Sequence, residues 1–195
     1  MALVGPADSV GDQGAEVEAC DTVIRINYRW RGNLTEGYGE RVDVGVLNLG
    51  ASQEVQNRPE FLEGLKWVLV KEGGSNVPHP NVRWLKNPFA MSNQMPILLH
   101  EIEQHNPAGV WVFGADFYTG GPDTFQQAGY RPPISMEDSW NGIQTHNQRH
   151  QHEWMRAFQD RTGLIKGDSR LVELLKISTD ELMDRLQDAW RSVSG

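Results

Sequence analysis

Four side chains able to titrate or bind a metal fall within eight positions: His146, His150, His152 and Glu153, in the run Thr-His-Asn-Gln-Arg-His-Gln-His-Glu-Trp. Histidine titrates near neutrality, so the cluster suits a general base that takes a proton from an acceptor hydroxyl. His146 and His150 are four apart and share one helix face if a helix begins early. Zinc is the competing chemistry. Neither a cysteine nor an H-E-x-x-H accompanies the histidines, and the chain has no D-x-D of the kind that holds Mg²⁺ or Mn²⁺, so metal-independent chemistry is expected. A solvated polar helix start is the plain structural alternative.

A second group of residues suits a nucleotide. Leu3-Val4-Gly5-Pro6-Ala7-Asp8-Ser9 is an apolar run entering a loop of small and polar residues. Backbone N–H groups in such a loop, with the Ser9 hydroxyl, could hold a phosphate or ribose. An ordinary strand-to-helix turn is the alternative. Asn27 closes the apolar run Thr22–Ile26 and carries an amide that both donates and accepts; it reads as a ligand contact or as a turn former. Ser92 and Asn93 open a helical stretch whose N-terminus suits an anionic or carbonyl group, or they simply cap it. Val110–Phe113 runs straight into Gly114, Asp116 and Tyr118, where a glycine would let a ligand approach the backbone. Arg25, inside an apolar strand, needs a partner, and Asp21 and Asp43 are the candidates.

These residues need a scaffold that brings strand ends together. Short apolar runs recur at Ala2–Val4, Thr22–Ile26, Val42–Leu47, Trp67–Val70, Val82–Leu85 and Val110–Phe113, as expected for strands covered on both faces. Helical stretches alternate with them at Gly14–Ala19, Arg58–Leu65 and Gln94–Gln104. The pattern predicts an α/β, Rossmann-like domain with a mostly parallel sheet flanked by helices. Residues 1–118 are expected to form the nucleotide-binding sheet region and 119–147 a long loop. Residues 148–195 are expected to form a helical C-terminal part, with helices at His150–Thr162, Ser169–Leu175 and from Ser178 onward. The whole chain, 1–195, reads as a single domain.

Composition narrows the setting. A formal charge of −8 argues against general nucleic-acid affinity, which needs clustered Lys and Arg. No apolar run approaches the roughly 18 residues of a membrane span. One cysteine, Cys20, and no signal-peptide pattern fit a reducing compartment, so a cytoplasmic location is expected, or the host cytoplasm for a viral protein.

Taken together, Val4-Gly5-Pro6-Ala7, Gly14-Ala15-Glu16-Val17, Asp21-Thr22-Val23-Ile24-Arg25-Ile26-Asn27, Gly39-Glu40-Arg41-Val42-Asp43-Val44 and Asn48 resemble the long motif of the sialyltransferase family of glycosyltransferases (family twenty-nine), in its shorter bacterial and viral-type form. The stretch covers about a quarter of the chain. The segment from Ser92 to Val112-Phe113-Gly114-Ala115-Asp116-Phe117-Tyr118 resembles the short motif, and His150 with Glu153 is similar to the last one. The resemblance implies a metal-independent, inverting transfer of a sugar from a nucleotide-sugar donor, CMP-linked in the family, to an acceptor hydroxyl, with no further cofactor. It implies that Gly5–Ser9 and Asn27 contact the nucleotide, and that Ser92, Asn93 and Gly114 cradle the base or ribose. One histidine would deprotonate the acceptor while another faces the leaving phosphate. Pro6 stands where animal members carry Asn, and their bridging cysteines are absent. The acceptor would be a saccharide or, in a viral-type variant, a hydroxymethylated base in DNA. The reading from another class is a non-catalytic nucleotide-binding protein.

Overall fold

The computed structural model describes residues 1–7, 12–27, 37, 39–88, 93–122 and 136–191. Seven strands form one all-parallel sheet: β1 Ala2–Val4, β2 Val23–Ile26, β3 Val44–Leu47, β4 Trp67–Lys71, β5 Val82–Leu85, β6 Val110–Phe113 and β7 Ile165–Gly167. Their order is β5-β4-β3-β2-β1-β6-β7. The chain steps outward from β1 to β5, then crosses back to place β6 and β7 on the other side of β1. That reversal makes the gap between β1 and β6 the topological switch point, where α/β sheets open a crevice at their carboxyl edge. The fold is the expected single Rossmann-like α/β domain.

Strand alternation builds two cores. On one face Leu3, Ile24, Ile26, Val44, Val46, Val110 and Val112 are buried under α3 Gln94–Glu103, α5 Gln148–Thr162 and α6 Ser169–Leu174. On the other, Ala2, Val4, Val23 and Phe113 pack on α1 Gly14–Glu18. Further along that face, Leu47, Val68 and Val70 pack on α2 Leu49–Asn57 and the 3₁₀ turn Pro59–Leu62. A smaller cluster joins α4 Met136–Thr145 to α7 Thr179–Ala189 through Ile143, Leu186 and Trp190. Helix ends follow their capping residues: Asn48, Asn93, Asn147, Asp168 and Ser178 each accept a first-turn N–H. Gly163, at φ 62°, closes α5 in the left-handed conformation.

The sequence expectations need four corrections. Strand β7 lies inside the part expected to be helical; three residues with Lys166 at the centre carry too little apolar signal. Helix α2 replaces an expected connection, because Leu49–Asn57 is mostly polar and only Ala51, Ser52 and Val55 are buried. The helix expected at Arg58–Leu65 is a single 3₁₀ turn. The long loop 119–147 contains α4, while its residues 123–135 lie outside the described ones. Arg25, 3% exposed, donates to the carbonyls of Arg41 (3.0 Å) and Gly39 (2.8 Å). The Asp43 carboxylate instead takes the Val23 N–H (2.9 Å), Arg41 (2.9 Å) and Lys66 (2.7 Å). Among the described residues, no helix is long and apolar enough to cross a membrane.

At the switch point the two central strands touch backbone to backbone. Gly5 N–H donates to the Phe113 carbonyl at 2.8 Å, and a Cβ on Gly5 would sit 2.3 Å from the Gly114 oxygen. Both neighbours are main chain in a packed sheet and have nowhere to move. Gly5→Ala is therefore expected to cost roughly 2–4 kcal/mol, read as a lower urea midpoint at unchanged slope. A substitution within about 0.5 kcal/mol of wild type would show that β1 and β6 part easily.

Candidate functional site

A cleft of about 520 Å³ lies along the carboxyl edge of the sheet, within the range of small-ligand sites. Its lining comes from the residues just past each strand: Pro6 and Ala7 after β1, Asn27 after β2, Asn48 to Gly50 after β3, and Lys71 to Gly73 around the end of β4. Asn93 to Met95 at the start of α3, and Gly114 to Tyr118 after β6, complete the floor. Gly142, Ile143 and His146 from the α4 end, with Gln151 of α5, form the remaining wall.

Five of these side chains are carboxamides: Asn27, Asn48, Asn93, Gln94 and Gln151. Three are engaged. Asn48 Oδ1 accepts from Ala51 N–H at 2.8 Å, Asn93 Oδ1 from Met95 N–H at 3.1 Å, and Asn93 Nδ2 donates to Gln151 Oε1. Two leave an atom open: Asn27 Oδ1 and Gln94 Nε2 are buried with no hydrogen-bond partner. A buried polar atom left unpaired costs about 1–3 kcal/mol, and such atoms in a native fold call for a bound group. One is an acceptor and the other a donor. Asn27 also holds φ 54°, a left-handed conformation that Asn tolerates better than most residues.

The segment after β6 is built rather than loose. Gly114, Phe117 and Tyr118 have φ of 60°, 53° and 64°. The Asp116 carboxylate, 2% exposed, fixes that turn by accepting from Tyr118 N–H (2.9 Å) and Gly120 N–H (3.2 Å), with Arg170 at 3.7 Å. Burial raises the Asp116 pKa against the pull of Arg170 and the two N–H groups. Nearby Asp168 is raised as well, by burial first and by the Asp116 charge in addition. On the far side Trp190 Nε1 donates to the Tyr118 carbonyl at 2.8 Å, and the Trp190 ring stacks on Trp140 with centroids 5.7 Å apart.

The expected site residues divide accordingly. Pro6, Ala7, Asn27, Asn93, Gly114, Asp116, Tyr118 and His146 line the cleft. Asp8, Ser9 and Ser92 lie outside the described residues. Gly5 supports the floor, and its N–H is spent on Phe113, as the Ala7 N–H is on Gly114 at 3.1 Å. Pro6 has none to offer, so residues 5–7 do not act as a cradle of open N–H groups. The freedom of Gly114 serves the backbone of Gly5 and Ala7, 2.7 and 2.8 Å from where its Cβ would be, rather than a ligand. Asp116 faces its own turn.

The histidine cluster disperses. Residues two apart on a helix point some 200° apart, so His150 and His152 of α5 part company. His150 and Glu153 are exposed and do not line the cleft. His152 is fully buried: its Nε2 meets the Leu174 carbonyl at 2.7 Å and its Nδ1 the Thr179 hydroxyl at 3.0 Å. A carbonyl only accepts, so Nε2 carries the proton and Thr179 donates to Nδ1. The ring edges against Phe117 of the cleft turn, centroids 5.2 Å apart. His152 is thus a core residue that braces the turn. Among the described residues no three His, Cys, Asp or Glu side chains converge as a metal site. Sequence reading missed Lys71, Gln94 and Gln151; a register rule, marking the residue at or after each strand end, finds the first, and capping logic finds the second.

Searched against known proteins, the chain matches no family model and no curated protein.

Burial lowers the His152 pKa, helped by the Arg156 charge and opposed by the Leu174 carbonyl. An unfolded histidine protonates near about pH 6.5. The folded one resists, so the unfolded state binds the extra proton, and stability present above that pH is lost as the pH falls through it. Asp116 and Asp168 act in the opposite sense, so the comparison must be a difference. The stability gap between wild type and His152→Asn is expected to shrink from about pH 7.5 to 5.5 in urea titrations. A gap that widens on acidification would mean the ring is protonated in the fold.

Proposed function

We propose that the protein is a metal-independent glycosyltransferase that moves a sugar from a nucleotide-sugar donor to an acceptor hydroxyl, CMP-linked by its resemblance to the sialyltransferase family, and that it works in a reducing, cytoplasmic setting. The observation that carries the reading is the carboxamide-lined cleft at the β1–β6 switch point, with Asn27 Oδ1 and Gln94 Nε2 left unpaired inside it. Neutral amides that donate and accept suit ribose, sugar hydroxyls and base edges. Nucleotides bind at this place in open α/β sheets.

In this reading the acceptor oxygen attacks the anomeric carbon from the face opposite the phosphate. The bond to the phosphate oxygen breaks, its electron pair leaves with the nucleotide, and the configuration inverts. His146, the one histidine among the described lining residues, takes the acceptor proton. Gln151 and Asn93, joined to each other, hold the start of α3 against α5 beneath it.

A second reading, a nucleotide-binding protein without catalysis, is favoured by one observation: His150, His152 and Glu153 all stand off the cleft. Two measurements separate these. In a thermal-shift panel of CMP, UDP, GDP and their sugars, ligand at about 100 times its Kd should stabilise the fold by roughly 2.7 kcal/mol. No shift with any of them overturns both readings. His146→Ala should then leave nucleotide binding intact and lower transfer about 10²–10⁴-fold. Binding without any detectable transfer by wild type, across saccharide and hydroxymethylated-DNA acceptors, would favour the second reading.

A further inference from the structure

The cleft does not end at the switch point. From β1 it runs across β2 and β3 to β4, three strand spacings or about 14 Å, where its wall is Asn48, Leu49, Lys71 and Gly73. Lys71 is the one Lys or Arg among its described lining residues. Its side chain rises from the last residue of β4, held in register against Leu85 of β5.

The backbone around Lys71 is fixed. Gly74 N–H turns back to the Lys71 carbonyl at 2.9 Å. Fully buried Ser52 of α2 accepts from Ser75 N–H at 2.9 Å and donates to the Leu49 carbonyl at 2.8 Å. The turn after β4 and the first turn of α2 are therefore one wall, joined through a single hydroxyl. A Cβ on Gly74 would meet Val70 Cγ1 at 2.6 Å and Ser52 Oγ at 3.1 Å, so that wall admits no side chain there.

The acidic groups of the cleft have work of their own. Asp116 spends its oxygens on the N–H groups of Tyr118 and Gly120, and Glu72 reaches the Asn87 N–H at 3.4 Å. Burial works against the Lys71 cation and lowers its pKa, a cost that an anion beside it would offset.

We infer that Lys71 is a specificity-determining residue that takes an anionic group, carboxylate or phosphate, carried by the bound nucleotide ligand at the β4 end of the cleft. The inference rests on the nucleotide reading of the same cleft. It separates ligands by charge rather than by base.

Matched ligand pairs test it by calorimetric titration of the full chain. CMP against CDP adds a phosphate, and UDP-glucose against UDP-glucuronic acid adds only a carboxylate. Wild type should bind the more anionic member of at least one pair about tenfold more tightly, and the pair that responds identifies the source of the charge. Lys71→Met should abolish that gain while binding the less anionic member unchanged, and Lys71→Arg should keep it. Equal affinities within both pairs, or a gain that survives in Lys71→Met, overturn the inference and leave the nucleotide reading standing. Wild type that binds none of the four ligands overturns the two together.

Discussion

The contact on which the molecule depends is the backbone approach of Gly5 to Gly114 at the centre of the sheet. Parallel strands splay as a sheet twists, and a crevice opens at the switch point only where helices leave its two central strands toward opposite faces. Here the floor of that crevice is closed by main chain alone. Phe113 and Gly114 carbonyls take the N–H groups of Gly5 and Ala7, and neither glycine has room for a methyl group. The result is a floor without side chains. Donors and acceptors for a ligand must therefore come from the rims, and the carboxamides of Asn27, Asn93, Gln94 and Gln151 stand there.

The rim opposite α3 depends on a different part of the chain. Tyr118 and Ile143 belong both to the cleft and to the small core of Trp140, Leu186 and Trp190. Asp116 holds the turn from within, Trp190 from outside and His152 through Phe117 from below. Two consecutive non-glycine residues at positive φ cost energy that the surroundings must meet. The helices near the C-terminal end are thus mechanical parts of a cleft whose floor begins at β1. Such long-range support explains why a sheet of three- to five-residue strands can present a defined wall.

Six strands were legible because each is a short, nearly unbroken apolar run, the signature of burial on both faces. The same logic fails for β7, whose Ile165–Gly167 has one buried side chain, and for α2, whose exposed face is mostly polar. The site was half legible. Asn27, Asn93 and Gly114 follow from strand ends and capping, which are local rules. Lys71 and Gln151 depend on which strands lie side by side, a fact carried by topology and not by neighbours in sequence. The histidines show the reverse error. Proximity along the chain suggested one cluster, but helical geometry sends His150 and Glu153 to solvent and His152 to the core, and keeps His146 at the cleft.

That dispersal alters what the cleft can do. With Asp116 turned inward and His152 in the core, carboxamides and backbone dominate the described surface that meets a ligand. Neutral amides cost little to desolvate compared with ions, so a ligand entering here displaces water from groups that exchange one hydrogen bond for another. Discrimination then comes from geometry at Asn27 and Gln94, where an unmet bond is costly. The Lys71 cation at one end and the His146 imidazole on the opposite wall act at separate places along the ligand. A crowded histidine site would blur that division; separating the histidines keeps it.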